Sequence, residues 1–137
     1  GGAMATAVLL QLGSLTGDPR FEREAFSALR SVLPLAGQHP LAFAAWLTAL
    51  DLALGPSWQL ALVGDPAQSD FQALHEEAKR PFYPRLIVCG GLEPLPSLLE
   101  GRTPVEGRAT AYLCKDFTCN LPTNDSETLR EQLASIA

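Results

Sequence analysis

Two cysteines five positions apart, Cys114 and Cys119, are the residues best placed for chemistry in this chain of 137 residues. They sit in Ala109-Thr-Ala-Tyr-Leu-Cys-Lys-Asp-Phe-Thr-Cys-Asn-Leu-Pro-Thr-Asn-Asp125. The spacing fits three arrangements. Free cysteine is a frequently buried small hydrophobe, so two ordinary packed thiols is the simplest. A disulfide or redox pair across the polar turn at Lys115-Asp116 is the second, although the spacing is not the C-x-x-C that precedes a helix and tunes a thiolate. The third is a metal site recruiting Cys89, His39 or His75. Structural zinc needs four ligands, and a single pair does not supply the usual doubled spacing.

A second candidate is a crevice. Gly64-Asp65 and Cys89-Gly90-Gly91 each close a short apolar run, as does Cys114. If these runs are parallel strands, their C-terminal ends form the edge where open α/β sheets bind ligands. Local turn chemistry explains the same residues, with glycine for the turn and Asp65 as a helix cap. His39, beside Pro40, and His75, in the run His75-Glu76-Glu77, have no evident partners, and the two glutamates read as a solvated helix face. No nucleophile elbow, phosphate loop, dinucleotide fingerprint or zinc-protease motif occurs, so no catalytic residue, metal or cofactor is assigned.

The elements that must position these groups fall into two regions. Residues 1–56 alternate buried and amphipathic helices. Ala3–Leu15 is apolar nearly all round, which marks a helix with no solvent face. Gly17 stops it, and Asp18-Pro19 opens the next as N-cap and N1. Pro19 to about Pro34 carries Phe21, Ala25, Leu29 and Val32 on one stripe. After a turn at Gly37–Pro40, the run Pro40–Leu54 is again apolar save Thr48 and Asp51, until Gly55-Pro56. Three helices cannot cover two fully apolar ones, so the missing surface is expected from further helices or from self-association through Ala3–Leu15 and Leu41–Leu54.

Residues 57–137 change period. Trp58–Val63, Arg85–Cys89 and Thr110–Cys114 read as strands. Helices are expected from Pro66 to about Arg80, briefly over Glu93–Leu99, and at the C-terminal end with Leu129, Leu133 and Ile136 as its stripe. Asn124, Asp125 and Ser126 offer caps there, and Asn124 with Glu127 is compatible with a capping box. The pattern predicts a small three-stranded, mostly parallel α/β unit. Trp46 and Trp58 are expected in the cores.

Composition excludes some partners. A net charge of −5, with no basic run beyond Lys79-Arg80, argues against nucleic acid. The longest apolar stretch, Leu41–Leu54, is too short for a bilayer and contains Asp51. Three cysteines in a chain that is 47% hydrophobic suit a reducing, cytoplasmic compartment better than a disulfide-stapled secreted domain.

Several segments resemble a known family. Leu15-Thr-Gly-Asp-Pro19, Pro40-Leu-Ala-Phe43 and Ala49-Leu-Asp-Leu52 look like its helix turns and last inner helix. Val63-Gly-Asp65, Leu98-Leu-Glu-Gly-Arg-Thr-Pro-Val-Glu-Gly-Arg108 and Ala111-Tyr-Leu-Cys-Lys-Asp-Phe-Thr-Cys119 are similar to its C-terminal segment. The family joins a thioredoxin-like domain to a six-hairpin, glycosidase-like helical barrel and includes the spermatogenesis-associated protein 20 group. The resemblance implies a C-terminal part of a longer protein. Its partners would be the remaining (α/α)6 barrel, like those of sugar epimerases and glycosidases, and a thioredoxin-like domain with its own redox cysteines. It implies a structural, ancillary role for residues 1–56 (the end of the barrel) and 57–137 (the α/β unit). The alternatives are a carbohydrate-active parent whose barrel this part lines, and a thiol redox module using Cys114 and Cys119.

Overall fold

The structure is a computed structural model that describes residues 1–93, 96–116 and 118–136. It is a mixed α/β chain divided into two compact units, Gly1–Pro56 and Ser57–Ala137.

The first unit is helical. Helix α1 is Gly2–Thr16, α2 is Pro19–Gln38, a 3₁₀ turn covers Pro40–Phe43, and α3 is Ala44–Leu54. Gly17 ends α1 in the left-handed conformation, and its N–H donates to the Gly13 carbonyl. Asp18 starts α2 by accepting from the Arg20 N–H at 2.9 Å. Arg20 also holds the Asp18 carboxyl below its ordinary value through a side-chain hydrogen bond. Two boundaries differ from expectation. Helix α2 passes through Pro34 to Gln38, tolerating the lost N–H. The run from Pro40 is not one helix, because Phe43 leaves helical geometry (φ −113°, ψ 21°) between the 3₁₀ turn and α3.

The interior of this unit is made of small residues. Its buried apolar side chains are Ala3, Ala25, Leu29, Ala36 and Ala49. Helix α1 buries Ala3, Thr6, Gly13 and Ser14, while its Met4 is 72% exposed and Val8 stands in water. Leu41 is 95% exposed, and Leu35, Leu47 and Leu54 are exposed as well. Trp46 is half-buried, its ring lying against Gly2.

The second unit is a four-stranded mixed sheet with two helices. Strands β1 (Trp58–Val63), β2 (Leu86–Gly91), β3 (Thr110–Lys115) and β4 (Thr118–Cys119) lie in the order β2-β1-β3-β4. Helices α4 (Ser69–Lys79) and α5 (Ser126–Ala134) cover one face. Every residue of β1 after Trp58 is buried, as suits a central strand that reads as one apolar run. Leu60 and Leu62 of β1 and Ala111 and Leu113 of β3 pack with Phe71 and Leu74 of α4 and with Leu129 and Leu133 of α5. Trp58 and Ile136 join this cluster while half-buried.

The sheet corrects the expectation of three mostly parallel strands. β1 pairs with β2 in parallel, but β3 runs antiparallel to β1, with Trp58 opposite Lys115 and Val63 opposite Thr110. The connection from β2 begins at the same end of the sheet at which β3 starts. It therefore needs no helix-length crossover, and Pro96, Pro104, Gly101 and Gly107 supply none. Among the described residues its helical content is a 3₁₀ turn at Ser97–Leu99. The short helix expected from Glu93 falls partly on Pro94 and Leu95, which lie outside the described residues. Leu98 and Leu99 are buried but stand apart from the helix-covered core, in a segment that packs on β1 and β2.

The chain after Lys115 is also more ordered than a linker. Lys115 pairs with Thr118, and Asp116 takes a positive φ of 48° at the reversal. Further along, Asn120 donates to the Leu113 carbonyl at 2.8 Å, while Thr123 and Ala111 exchange hydrogen bonds at 2.7 and 3.0 Å. Tyr112 therefore faces two residues, Leu121 and Pro122. This is a β-bulge, and Pro122 occupies the kind of position where no N–H is required.

Candidate functional site

Strand pairing decides which candidate residues share a surface. Along β3, Thr110, Tyr112 and Cys114 alternate with the core residues Ala111 and Leu113, so they face away from the two helices. Their partners on β1 are Val63, Ala61 and Gln59, and Ala61 in turn pairs with Cys89. Cys89 and Cys114 thus lie on one face with β1 between the strands that carry them. Two strand spacings, about 10 Å, separate Cys89 from Tyr112, the nearest part of β3.

A disulfide joins Cys114 and Cys119, whose Cα atoms are 3.8 Å apart. The two residues are direct partners in the β3–β4 ladder. Leu113 and Asn120 carry the neighbouring hydrogen bond, so the cysteines take the adjacent, non-hydrogen-bonded place, where side chains approach most closely. Cys114 is fully buried and Cys119 is exposed.

Arg102 is the residue that sequence patterning did not single out. It lies in the connection before β3, and its side chain returns to the hairpin. One terminal nitrogen (Nη2) is 3.0 Å from Cys119 Sγ and 3.5 Å from Cys114 Sγ. The other donates to the Leu98 carbonyl, and the backbone N–H donates to Leu99 at 3.1 Å. The guanidinium carbon is 5.9 Å from the centre of the Tyr112 ring, and the Tyr112 hydroxyl donates to the Thr103 carbonyl at 2.7 Å. A lone arginine in a Gly/Pro-bearing loop has no periodic signature, so only the fold brings it to the sulfurs.

The remaining thiol is of another kind. Burial pushes Cys89 up to about 11, outweighing the opposite pull of the Arg102 charge. At neutral pH it stays protonated and a poor nucleophile.

The edge containing Gly64 is differently built from the expectation. Because β3 is antiparallel, Cys114 lies at the far end of the sheet, opposite Gln59, and not beside Gly64 and Gly91. At Gly64 and Gly90 the backbone has close neighbours, whereas a Cβ on Gly91 would meet only the Glu93 nitrogen at 4.0 Å. Gly64 has φ 154°, and a Cβ there would stand 2.9 Å from the Ala109 Cβ. A Cβ on Gly90 would meet Phe71 Cζ at 2.8 Å and the Leu62 carbonyl at 2.9 Å. Asp65 does not cap a helix. Its carboxylate accepts from the Ala67 N–H at 2.9 Å in a turn, and α4 begins only at Ser69.

The acidic residues of α4 and α5 tie elements together. Glu76-Glu77 is not a uniformly solvated pair. Glu77 is buried, and its two oxygens each accept from Arg130 of α5 at 3.0 Å. The Arg130 hydrogen bonds hold the Glu77 carboxyl below its ordinary range. Asp70 accepts from the Ala109 N–H at 2.8 Å, and that bond lowers its pKa. Of the three candidate caps Asp125 is the one that starts α5, accepting from the Thr128 N–H at 2.7 Å and the Thr128 hydroxyl at 2.8 Å. The His75 ring lies 6.3 Å from that of Phe71. Among the described residues, no group of three or more His, Cys, Asp or Glu side chains is placed to hold a metal ion.

The class that fold and site define is a mixed α/β unit with a disulfide-closed, arginine-clasped hairpin, accompanied by a helical unit with an alanine-rich interior. Among the described residues, no helix is long and apolar enough to cross a membrane. Comparison with protein families, curated proteins and solved structures finds no match to this chain.

Proposed function

We propose that the chain is a structural, ancillary part of a larger protein, with its helical unit contributing the end of an (α/α)6-type barrel. The parent would supply the other barrel helices and a thioredoxin-like domain, and any turnover would lie there. One observation carries this reading: large apolar side chains of residues 1–56 lie in water while alanine fills the interior. Met4, Leu41 and Leu54, at 72%, 95% and 75% exposure, belong to two helices and a turn whose one charged residue is Asp51. Such surface is what packing partners cover. The resemblance of Leu15–Pro19, Pro40–Phe43, Leu98–Arg108 and Ala111–Cys119 to the barrel family supports neighbouring helices of the same chain as that partner.

The test is the size of the native gene product in its source cells, read with an antibody against residues 57–137. A product several times longer supports the reading. A product of this length that sediments as a monomer at every concentration overturns it. A concentration-dependent oligomer of this length would also overturn it, by making a second copy the cover.

A further inference from the structure

A sulfur atom in a disulfide carries neither proton nor charge and is a weak acceptor. A guanidinium gains little beside it, yet Arg102 is fixed there by Leu98, Leu99 and the Tyr112 ring. Beside a thiolate, the same nitrogen would make a charge-assisted hydrogen bond. The arrangement is better matched to the charged sulfur formed when the bond opens than to the closed bond. The two sulfurs also differ in access. Cys119 is exposed in a two-residue edge strand, whereas Cys114 is fully buried.

We propose that Cys119 is a thiol–disulfide exchange site for an external dithiol, with Arg102 as the positioning residue for the sulfur that carries charge. A thiolate of the dithiol attacks Sγ of the exposed residue Cys119. The S–S electron pair passes to Cys114 Sγ, which leaves as a thiolate 3.5 Å from the Arg102 nitrogen. The dithiol's second thiolate then attacks its own sulfur in the mixed disulfide. Cys119 leaves as a thiolate 3.0 Å from the same nitrogen. Two electrons have passed from the dithiol, now a disulfide, to the cysteine pair, and the two protons its thiols gave to solvent on ionising balance those the cysteine thiolates take up when they protonate. Cys89 takes no part, since β1 separates it from β3 by more than the roughly 7 Å a disulfide spans. This inference rests on the hairpin alone and holds whether or not residues 1–56 complete a barrel.

The test uses the full chain carrying Cys89→Ser, kept folded and followed by circular dichroism. Glutathione traps the first step, and peptide mass mapping locates the adduct. Dithiothreitol gives the full reduction rate, and iodoacetamide alkylation against pH gives the thiol titration. The expected result is an adduct on Cys119 in preference to Cys114, with reduction complete while the fold persists. In Arg102→Gln the Cys119 titration should rise by about one pH unit, tenfold in thiolate fraction. Arg102→Lys should restore part of the difference. Adducts on Cys114, or reduction only in denaturant, overturn the proposal. So does an Arg102→Gln chain whose rate and titration match the parent. Should that variant fail to fold, adduct location in the parent and the Lys variant's titration decide.

Discussion

The helical unit is the richer of the two in apolar residues, yet the α/β unit buries the large ones. Leu60, Leu62, Leu74, Leu98, Leu113, Leu129 and Leu133 are all at or below 1% exposure, and all belong to residues 57–137. In residues 1–56 the only comparably large buried apolar side chain is Leu29. Hydrophobic content therefore does not report a finished core. Two α-helices can meet along small residues and leave their leucines outside, whereas a sheet has a second side for each strand and encloses what faces its helices.

This contrast can be broken by truncating leucines in both units. Leu113→Ala should cost about 3 kcal/mol or more, from lost burial and the cavity left behind. Leu54→Ala, at an exposed site, should stay within about 0.5 kcal/mol. Trp46 and Trp58 report on one unit each, so fluorescence melts of Trp46→Phe and Trp58→Phe backgrounds separate the two losses. A comparable cost at Leu54 would mean that the helical unit has a core of its own.

A smaller effect is expected at the sheet end. Gly64→Ala places a Cβ against Ala109 at an unfavourable φ and should destabilise the α/β unit by about 2 kcal/mol. Gly37→Ala, with open space around its Cβ, should be neutral or slightly stabilising. Equal melts for the two variants would show that the sheet end yields more easily than its packing indicates.

Acid should sharpen the contrast further. Asp70, Glu77 and Asp125 are each held below their ordinary values in the folded α/β unit. The folded state therefore binds fewer protons than the unfolded one. The stability these groups lend is complete above the ordinary carboxylate range, at about 4, and drains as pH falls through the lowered folded values. Glu77→Gln should be less stable than the parent at pH 7, and the gap should close below about pH 4 in Trp58-monitored titrations. A constant gap across that range would remove ionisation from the account. The smallest expected effect is on fold: Leu41→Lys with Leu54→Lys should leave the circular dichroism unchanged while weakening any self-association seen by sedimentation.

The parts legible in the sequence were those with local signatures. Trp58–Val63 is a short apolar run closed by glycine, and the structure has a strand over those residues. Strand direction was not legible, because an apolar run reads alike both ways. The clue lay in the connection, since residues 92–109 contain three prolines and two glycines, and among the described residues the helix there is the 3₁₀ turn Ser97–Leu99. β4 was missed for a different reason: two residues have no periodicity, and its register comes from the reversal at Asp116 and the bulge at Leu121-Pro122. The cysteine spacing left three arrangements open, and pairing register separates them by placing Cys114 opposite Cys119. Arg102 was invisible because its role depends wholly on where a loop returns.

The antiparallel seam between β1 and β3 has a consequence for synthesis. Val63 must wait for Thr110, and Trp58 for Lys115, roughly fifty residues later in the chain. At about 5–20 residues per second, a nascent chain on the ribosome carries β1 with that edge unpaired for about 3–10 s, longer while the exit tunnel hides the partner. β2 arrives sooner but covers only the other edge. The most apolar strand of the unit is thus also the one whose second edge waits about fifty residues for its partner, and a nascent-chain binder would find its target there before that edge is covered.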